Sequence, residues 1–417
     1  MMKSDWKKCK LSDIADVRDG THNSPKEVAT GGVPLVTSRH ISNGKVDLSN
    51  TYNISIEDFN AINLRSKVDR GDILISMIGT VGQIAYVTED PQYAIKNVGL
   101  IKPNDINISK YLYYYLKSPL AQEDILSRLK GTTQQYLSLG ELRNFPITLP
   151  SLHEQKRIAQ ILGALDDKIE LLQRQNKTLE DMAKAIFKSW FVDFDVVHAK
   201  QKGLPKADIM REYHLTDELY DLFPSGFEPS ALGPIPSGWQ VKTLGNIVVC
   251  HDSKRVPLSN RERSEKQGSY PYYGATSIMD HVENYLFDGV FLLLGEDGSV
   301  VKADGTPFLQ YVFGKIWVNN HAHVLQGTGN ISTEYLYLFL SDVQIQPYVT
   351  GAVQAKLNQK NMNSIPLCVA NEKIIKIFQG QIDIMFAKIR ENLKQIQTLT
   401  ELRDALLPPL ISGKIRV

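Results

Sequence analysis

In two stretches of the chain, apolar residues recur at alternating spacings of three and four. The first runs Leu162, Leu165, Ile169, Leu172, Asn176, Leu179, Ala183 and Ile186. Such a period, held for more than three heptads, predicts a long helix with a narrow apolar seam. The second runs Ile382, Met385, Ile389, Asn392, Ile396, Leu399, Arg403 and Leu406, the same positions shifted by 220 residues. Each seam carries one asparagine, Asn176 or Asn392, and a polar residue buried there fixes register at some cost in stability. A seam of about two residues in seven is narrower than the face a helix buries on a globular domain. It therefore favours pairing of the two helices with each other over separate packing on two domains.

Ahead of each helix the pattern changes to short β-type runs. Val33–Thr37, Ile73–Met77, Ile84–Val87 and Val98–Lys102 are bounded by the turn signals Asp19-Gly20, Asn43-Gly44 and Arg70-Gly71-Asp72. In the second half Val290–Leu294 precedes Gly295-Glu296-Asp297-Gly298, an echo of Gly79-Thr80-Val81-Gly82 at an offset of 216. Tyr111–Lys117 and Tyr335–Leu340 read as short helices with an aromatic and leucine face.

These echoes belong to one duplication. From Gly131 to Phe187 the chain matches itself at an offset of 220 without a gap: Gly131 with Gly351, Gln134 with Gln354, Leu137 with Leu357, Pro146 with Pro366. Tyr111-Leu112-Tyr113 matches Tyr335-Leu336-Tyr337 at 224, and Trp6 matches Trp239 at 233. A repeat of this length is two copies of a whole domain rather than a solenoid. Between the copies, residues 193–235 are rich in proline and glycine and read as a linker.

Composition adds limits. With 42% hydrophobic and 22% charged residues the chain is an ordinary globular protein. No apolar run is long enough to span a membrane, the N-terminus lacks the apolar core of a signal peptide, and Cys9, Cys250 and Cys368 are scattered. A reducing, cytoplasmic setting is expected. The net charge of +1 announces no partner. One loop-like segment is locally basic, with Lys254, Arg255, Arg261, Arg263 and Lys266 against Glu262 and Glu265.

The sequence holds no phosphate-binding P-loop, no amino-methyltransferase motif and no glycine-rich turn for S-adenosylmethionine. His321-Ala322-His323 could place two imidazoles on one strand face, yet no Cys or acidic partner lies at a usable spacing, so no metal site is expected. What recurs is polar loops carrying glycine. Lys130-Gly131-Thr132-Thr133-Gln134-Gln135 is answered by Thr350-Gly351-Ala352-Val353-Gln354-Ala355-Lys356. Glycine lets backbone N–H groups approach a phosphate closely, and Gln, Thr and Lys supply hydrogen bonds to backbone or base edges. Thr21, His22, Ser24, Arg39, His40 and Thr80 add donors in the first copy. Lys254, Arg255, Asn319, Asn320 and His321 add them in the second.

Certain segments resemble the specificity subunit of Type I restriction-modification enzymes over essentially the whole chain. They are Trp6 with Leu11-Ser12-Asp13-Ile14, Ile235-Pro236-Ser237-Gly238-Trp239, and Glu154-Gln155-Lys156-Arg157-Ile158. Two more are Phe187-Lys188-Ser189-Trp190-Phe191-Val192-Asp193-Phe194-Asp195 and the C-terminal Leu402-Arg403-Asp404-Ala405-Leu406-Leu407-Pro408-Pro409-Leu410-Ile411-Ser412-Gly413. The second copy departs from the Glu-Gln pattern at Glu372-Lys373-Ile374-Ile375.

The resemblance implies an α+β chain of two tandem mixed α/β target-recognition domains, each followed by a long helix, the helices pairing as an antiparallel coiled coil. It divides the chain into recognition domains at 1–150 and 236–370, long helices at 151–192 and 371–417, and the linker. It implies double-stranded DNA, methyltransferase subunits and a motor-nuclease subunit as partners, with S-adenosylmethionine, ATP and Mg held by those partners and no cofactor in this chain. The seam from Leu162 to Ile186 would extend roughly 37 Å at about 1.5 Å per residue, close to one DNA turn of about 34–36 Å. The paired helices could then space two half-sites. Two other classes remain open: a stand-alone nuclease or methyltransferase with a duplicated domain, and a coiled-coil adaptor that never touches DNA.

Overall fold

The computed structural model describes residues 6–351 and 354–417; the residues before Trp6, and Ala352 and Val353 of the second polar loop, lie outside the described part. The chain divides into two compact units. One takes the residues up to Leu171 together with Gln395–Val417, the other Leu172–Lys394. The architecture is α+β, two mixed units with two long helices running antiparallel.

In the first unit, Ala15–Asp19, Val98–Pro103, Ile73–Ser76 and Ile84–Tyr86 form a four-stranded sheet in that order. Every neighbouring pair in it is antiparallel. Ile73, Leu74 and Ile75 are fully buried because both sheet faces are covered. A separate ribbon pairs Lys7–Lys10 with Pro146–Leu149, and the helix Ile106–Lys117 lays Tyr111 and Leu112 into the core.

The second unit repeats this plan with a wider, six-stranded sheet: Val248–Cys250, Ala322–Gly327, Phe287–Gly295, Leu309–Val318, Gln267–Tyr273, Ile278–Val282. Gln240–Thr243 pairs with Pro366–Val369 as the matching ribbon. Thr333–Leu340 buries Tyr335 and Leu336 where the first unit buries Tyr111 and Leu112.

The long helices span Leu152–Phe191 and Glu372–Ile411, 40 residues each. Both start at a side-chain cap: Ser151 Oγ accepts from the Glu154 N–H at 3.3 Å, and Asn371 Oδ1 from the Ile374 N–H at 3.0 Å. In the first unit Asp166 bonds Arg403 at 2.7 Å and Glu154 bonds Arg416 at 3.0 Å, so the two segments run in opposite directions. In the second unit Asn392 Nδ2 donates to Asn176 Oδ1 at 2.8 Å, so the two seam asparagines meet.

Burial along the seams is uneven. Leu162, Ile169, Leu172, Ile382 and Ile389 are buried, whereas Leu165, Leu179, Met385, Ile396, Leu399 and Leu406 are half-buried. Towards their ends the helices broaden into domain cores. Ile158 and Leu162 pack with Leu407, Leu410 and Trp6 in the first unit; Phe187, Trp190 and Phe191 pack with Phe378 and Tyr335 in the second.

The connector between the copies is not extended chain. Asp195–Gln201, Lys206–Glu212 and Asp217–Leu222 are helices that bury Val196, Val197, Ile209, Leu219 and Phe223 in the second unit's core. These apolar spacings are masked in the sequence by the surrounding prolines and glycines.

Leu162 is fully buried and Leu171, on the same helix, is half exposed. Leu162→Ala is expected to cost about 2–5 kcal/mol in thermal or denaturant unfolding, while Leu171→Ala should stay within about 0.5 kcal/mol of the parent.

Candidate nucleic-acid interface

The paired polar loops are closed in the same way. Lys130 and Tyr136 exchange two backbone hydrogen bonds of 2.9 Å, closing the loop between them; Thr350 and Lys356 do so at 2.8 and 2.7 Å. Inside each closure one glycine adopts positive φ, 92° at Gly131 and 95° at Gly351. A Cβ there would sit 2.4 Å from the Gln134 carbonyl oxygen, or 2.1 Å from that of Gln354, so only glycine fits. Lys130, Thr132, Thr133, Gln134 and Gln135 are exposed, as are Gln354 and Lys356.

Each loop is anchored to the turn after a central strand. The Leu137 N–H donates to the Met77 carbonyl at 2.9 Å, and the Leu357 N–H to the Glu296 carbonyl at 2.8 Å. Ile78 bridges Tyr136, and Asp297 bridges Lys356. This geometry corrects the glycine alignment read from sequence. Gly79 corresponds to Gly298, both at positive φ (81° and 75°), and not to Gly295, which lies in a strand. Thr80 is exposed in the first of these turns, its carbonyl accepting from Ser76 Oγ at 2.6 Å.

The other first-unit candidates gather around Lys96 and Asn97. Lys96 Nζ donates to Ser24 Oγ at 2.6 Å; Asn97 Oδ1 lies 2.8 Å from His22 Nδ1, and its carbonyl accepts from Ser38 Oγ at 3.1 Å. Thr21 is half-buried and bridges Lys96, and Arg39 is exposed. His40 is only 3% exposed. Its Nδ1 accepts the Thr37 N–H at 2.9 Å, and burial together with nearby Arg39 pushes its pKa down, so it is a neutral ring closing a turn.

In the second unit the candidates converge on Glu296 and Asp297. Arg255 donates to Glu296 at 2.8 Å and to the Ala322 carbonyl at 2.7 Å, and lies 3.3 Å from Asp252. Lys356 Nζ stands 3.7 Å from Glu296, and His321 bonds Asp297 at 2.5 Å. Arg255 is thus spent on internal pairs, its side chain only 12% exposed, whereas Lys356 is half exposed. Asn319 is buried and accepts the His321 N–H at 2.8 Å; Asn320, His321 and Lys254 are exposed.

The basic segment near Lys254 is not a loop throughout. Asn260–Glu265 is a short helix opened by a capping box between Ser259 and Glu262. Arg261 pairs with Glu265 at 2.8 Å, and Arg263 is buried over the Tyr272 ring, donating to the Leu258 carbonyl. The Ser259-x-x-Glu262 spacing was the available signal for that helix.

His323 also has partners that sequence spacing hid. Strand pairing brings Cys250 and Asp252 to it, the three offering ligand atoms within 4.8 Å of one another. The expectation that no Cys or acidic residue could join these histidines is corrected accordingly. The donors are nonetheless committed: His323 Nδ1 meets Asp252 Oδ2 at 2.5 Å, its Nε2 meets the Leu357 carbonyl at 2.7 Å, and Asp252 Oδ1 accepts the Val324 N–H at 2.9 Å.

Two oxygen acceptors facing one imidazole call for both ring N–H groups, the charged form. Burial opposes the charge, but the hydrogen bond and charge of Asp252 and the Leu357 carbonyl outweigh it, raising the pKa from its ordinary 6.5 to about 10. A raised pKa stabilises the fold fully below the ordinary value and loses that contribution as pH climbs through the folded value. Wild-type stability is therefore expected to fall between about pH 6.5 and 10, and His323→Gln should flatten the fall. Denaturant titrations at pH 6.5, 8 and 9.5 measure it.

Asp19 and Asp252, to which His22 and Arg255 respectively are tied, were not among the sequence candidates. The 233-residue offset of Trp6 and Trp239 carries Asp19 onto Asp252 and was the signal available.

The chain matches the Type I restriction modification DNA specificity domain over residues 3–181 and again over 236–400. It is 27% identical to the Type I restriction enzyme MjaIX specificity subunit of Methanocaldococcus jannaschii, across 99% of this chain and 94% of that one. It is 26% identical to the Type I restriction enzyme HindI specificity subunit of Haemophilus influenzae, across 99% and 100%. Among solved structures its fold is similar to the Type I restriction-modification system S subunit from M. genitalium, with a TM-score of 0.55 at 18% identity over 98% and 97% of the two chains.

Proposed function

The chain belongs to the Type I restriction-modification DNA specificity domain family, and on that premise we propose that it is the DNA-reading, non-catalytic subunit of a Type I complex, each unit recognising one half of a split target. The observation that carries this is the recurrence of one exposed loop, turned by a glycine and anchored on a central strand, in both copies. Single polar loops are ordinary; the same backbone closure and glycine turn built twice fits two equivalent contacts on a duplex whose backbone is itself two-fold.

The contacts fall to exposed donors. Thr21, His22, Ser24, Arg39, Thr80 and the loop Lys130–Gln135 serve one half-site. Lys254, Asn320, His321, Gln354 and Lys356 serve the other. Lysine and loop N–H groups hold phosphates and set register on the duplex, while Gln, Asn and His reach base edges. His40, Arg255 and Asn319 act behind this surface by holding the turns that bear it.

The long helices dock the methyltransferase subunits and set the unspecified spacer. Chemistry, with S-adenosylmethionine, ATP and Mg, resides in the methyltransferase and motor-nuclease partners, and the complex works in the cytoplasm. The sequence carries no nucleotide or S-adenosylmethionine motif, which supports this division of labour; no helix among the described residues is long and apolar enough to cross a membrane.

Adding one heptad to each helix, after Leu171 and after Lys394, lengthens each by about 10 Å at about 1.5 Å per residue. The spacer should grow by roughly three base pairs at about 3.4 Å each, with both half-sites unchanged. Selection of bound sequences reads this directly, and an unaltered spacer would refute the ruler. Replacing residues 1–150 with another recognition domain should change one half-site and leave the other.

A further inference from the structure

Both units place a carboxylate at the end of their first sheet strand, Asp19 buried and Asp252 partly buried. Asp19 ends Ala15–Asp19 and Asp252 follows Val248–Cys250, and the 233-residue offset that relates them also relates the preceding turns Leu11–Asp13 and Leu244–Asn246. Each carboxylate holds the basic residue three positions on: His22 Nε2 at 2.9 Å from Asp19, and Arg255 at 3.3 Å from Asp252.

Each also takes a second basic partner, and here the copies differ for a steric reason. Asp252 bonds His323, on the neighbouring strand. The first-unit counterpart of His323, at the 224-residue offset of Tyr111 and Tyr335, is Gly99, paired directly with Asp19. A Cβ at Gly99 would lie 2.6 Å from Ile75 Cγ2 and 2.9 Å from Leu142 Cδ2, so a side chain there would have to displace both. Arg65, from the helix Ile56–Ser66, reaches Asp19 instead. Two different cations arriving at one conserved geometry indicate that the carboxylate is the element in common.

The groups held in this way carry the candidate contacts. Asp19 fixes His22 and with it the turn bearing Thr21 and Ser24. Asp252 fixes Arg255 beside Lys254, and through His323 the Leu357 carbonyl at the foot of the loop bearing Gln354 and Lys356. Resting on the DNA-reading function proposed above, we propose that Asp19 and Asp252 are equivalent positioning residues, each setting the recognition loops of its own unit and so the stringency of one half-site.

The test uses the full chain assembled with its methyltransferase subunits and compares methylation of the cognate duplex with duplexes substituted singly in either half. Asn preserves the shape of Asp but removes its charge. Roughly tenfold or greater loss of discrimination is expected, on the scale of one lost charge-assisted hydrogen bond. Asp19→Asn should relax one half only and Asp252→Asn only the other, with thermal unfolding of each assembly as the control for folding. His323→Gln, which keeps a donor for the Leu357 carbonyl, should relax the same half as Asp252→Asn and serves if that variant fails to assemble. Equal relaxation of both halves by either variant, or unaltered discrimination in well-folded variants, overturns the proposal. A wild-type complex that methylates no split sequence would instead contradict the DNA-reading function itself, and this inference with it.

Discussion

Neither unit is closed by its own sheet; each depends on a pair of antiparallel helix segments buried in its core. The first unit opens with Trp6, whose indole N–H donates to Glu154 at 3.2 Å, and that glutamate also binds Arg416 from the far end of the chain. Gly413, at a φ of 71°, packs against the Trp6 ring, where a Cβ would be 3.1 Å from the indole. Gly413 and Arg416 therefore close the same unit as Trp6 and Glu154. In the second unit the aromatic set of Phe187, Phe191, Tyr335 and Phe378, with centroids 4.9–6.0 Å apart, performs the same closure. Replacing a recognition domain then means keeping the helix face it rests on.

From that closure follows the placement of the candidate contacts. The central strands are buried on both faces, so polar groups emerge where strands end, at Asp19, Thr80, Glu296 and Asn320. The polar loops are closed there by backbone hydrogen bonds, which leave Thr132–Gln135 and Gln354 exposed, while Lys130 and Lys356 pair with Glu141 and Glu296. A loop fixed by its main chain can change its side chains without losing its shape, which is what a surface reading different sequences requires.

Much of this was legible because it is periodic. The seam residues Leu162 to Ile186 announced a helix, and runs such as Ile73–Met77 announced strands, since burial on a helix or sheet imposes its period locally. Pairings across the sheet were not legible. Asp252 meets His323 over 71 positions and Arg255 meets Glu296 over 41, distances set by strand order rather than by spacing. The helices within the connector were not legible for a local reason: prolines and glycines delimit three short helices whose apolar residues are too few to show a period. The glycine alignment slipped by three residues because only backbone angles distinguish Gly298 from Gly295.

In the proposed function two homologous units read two halves of one DNA target. The direct measurement is to co-express the chain with its methyltransferase subunit and map methylated adenines across the genome by single-molecule sequencing. One split motif is expected, two short specific halves separated by a gap of fixed length. A continuous motif, or a stable complex that methylates nothing, would contradict it.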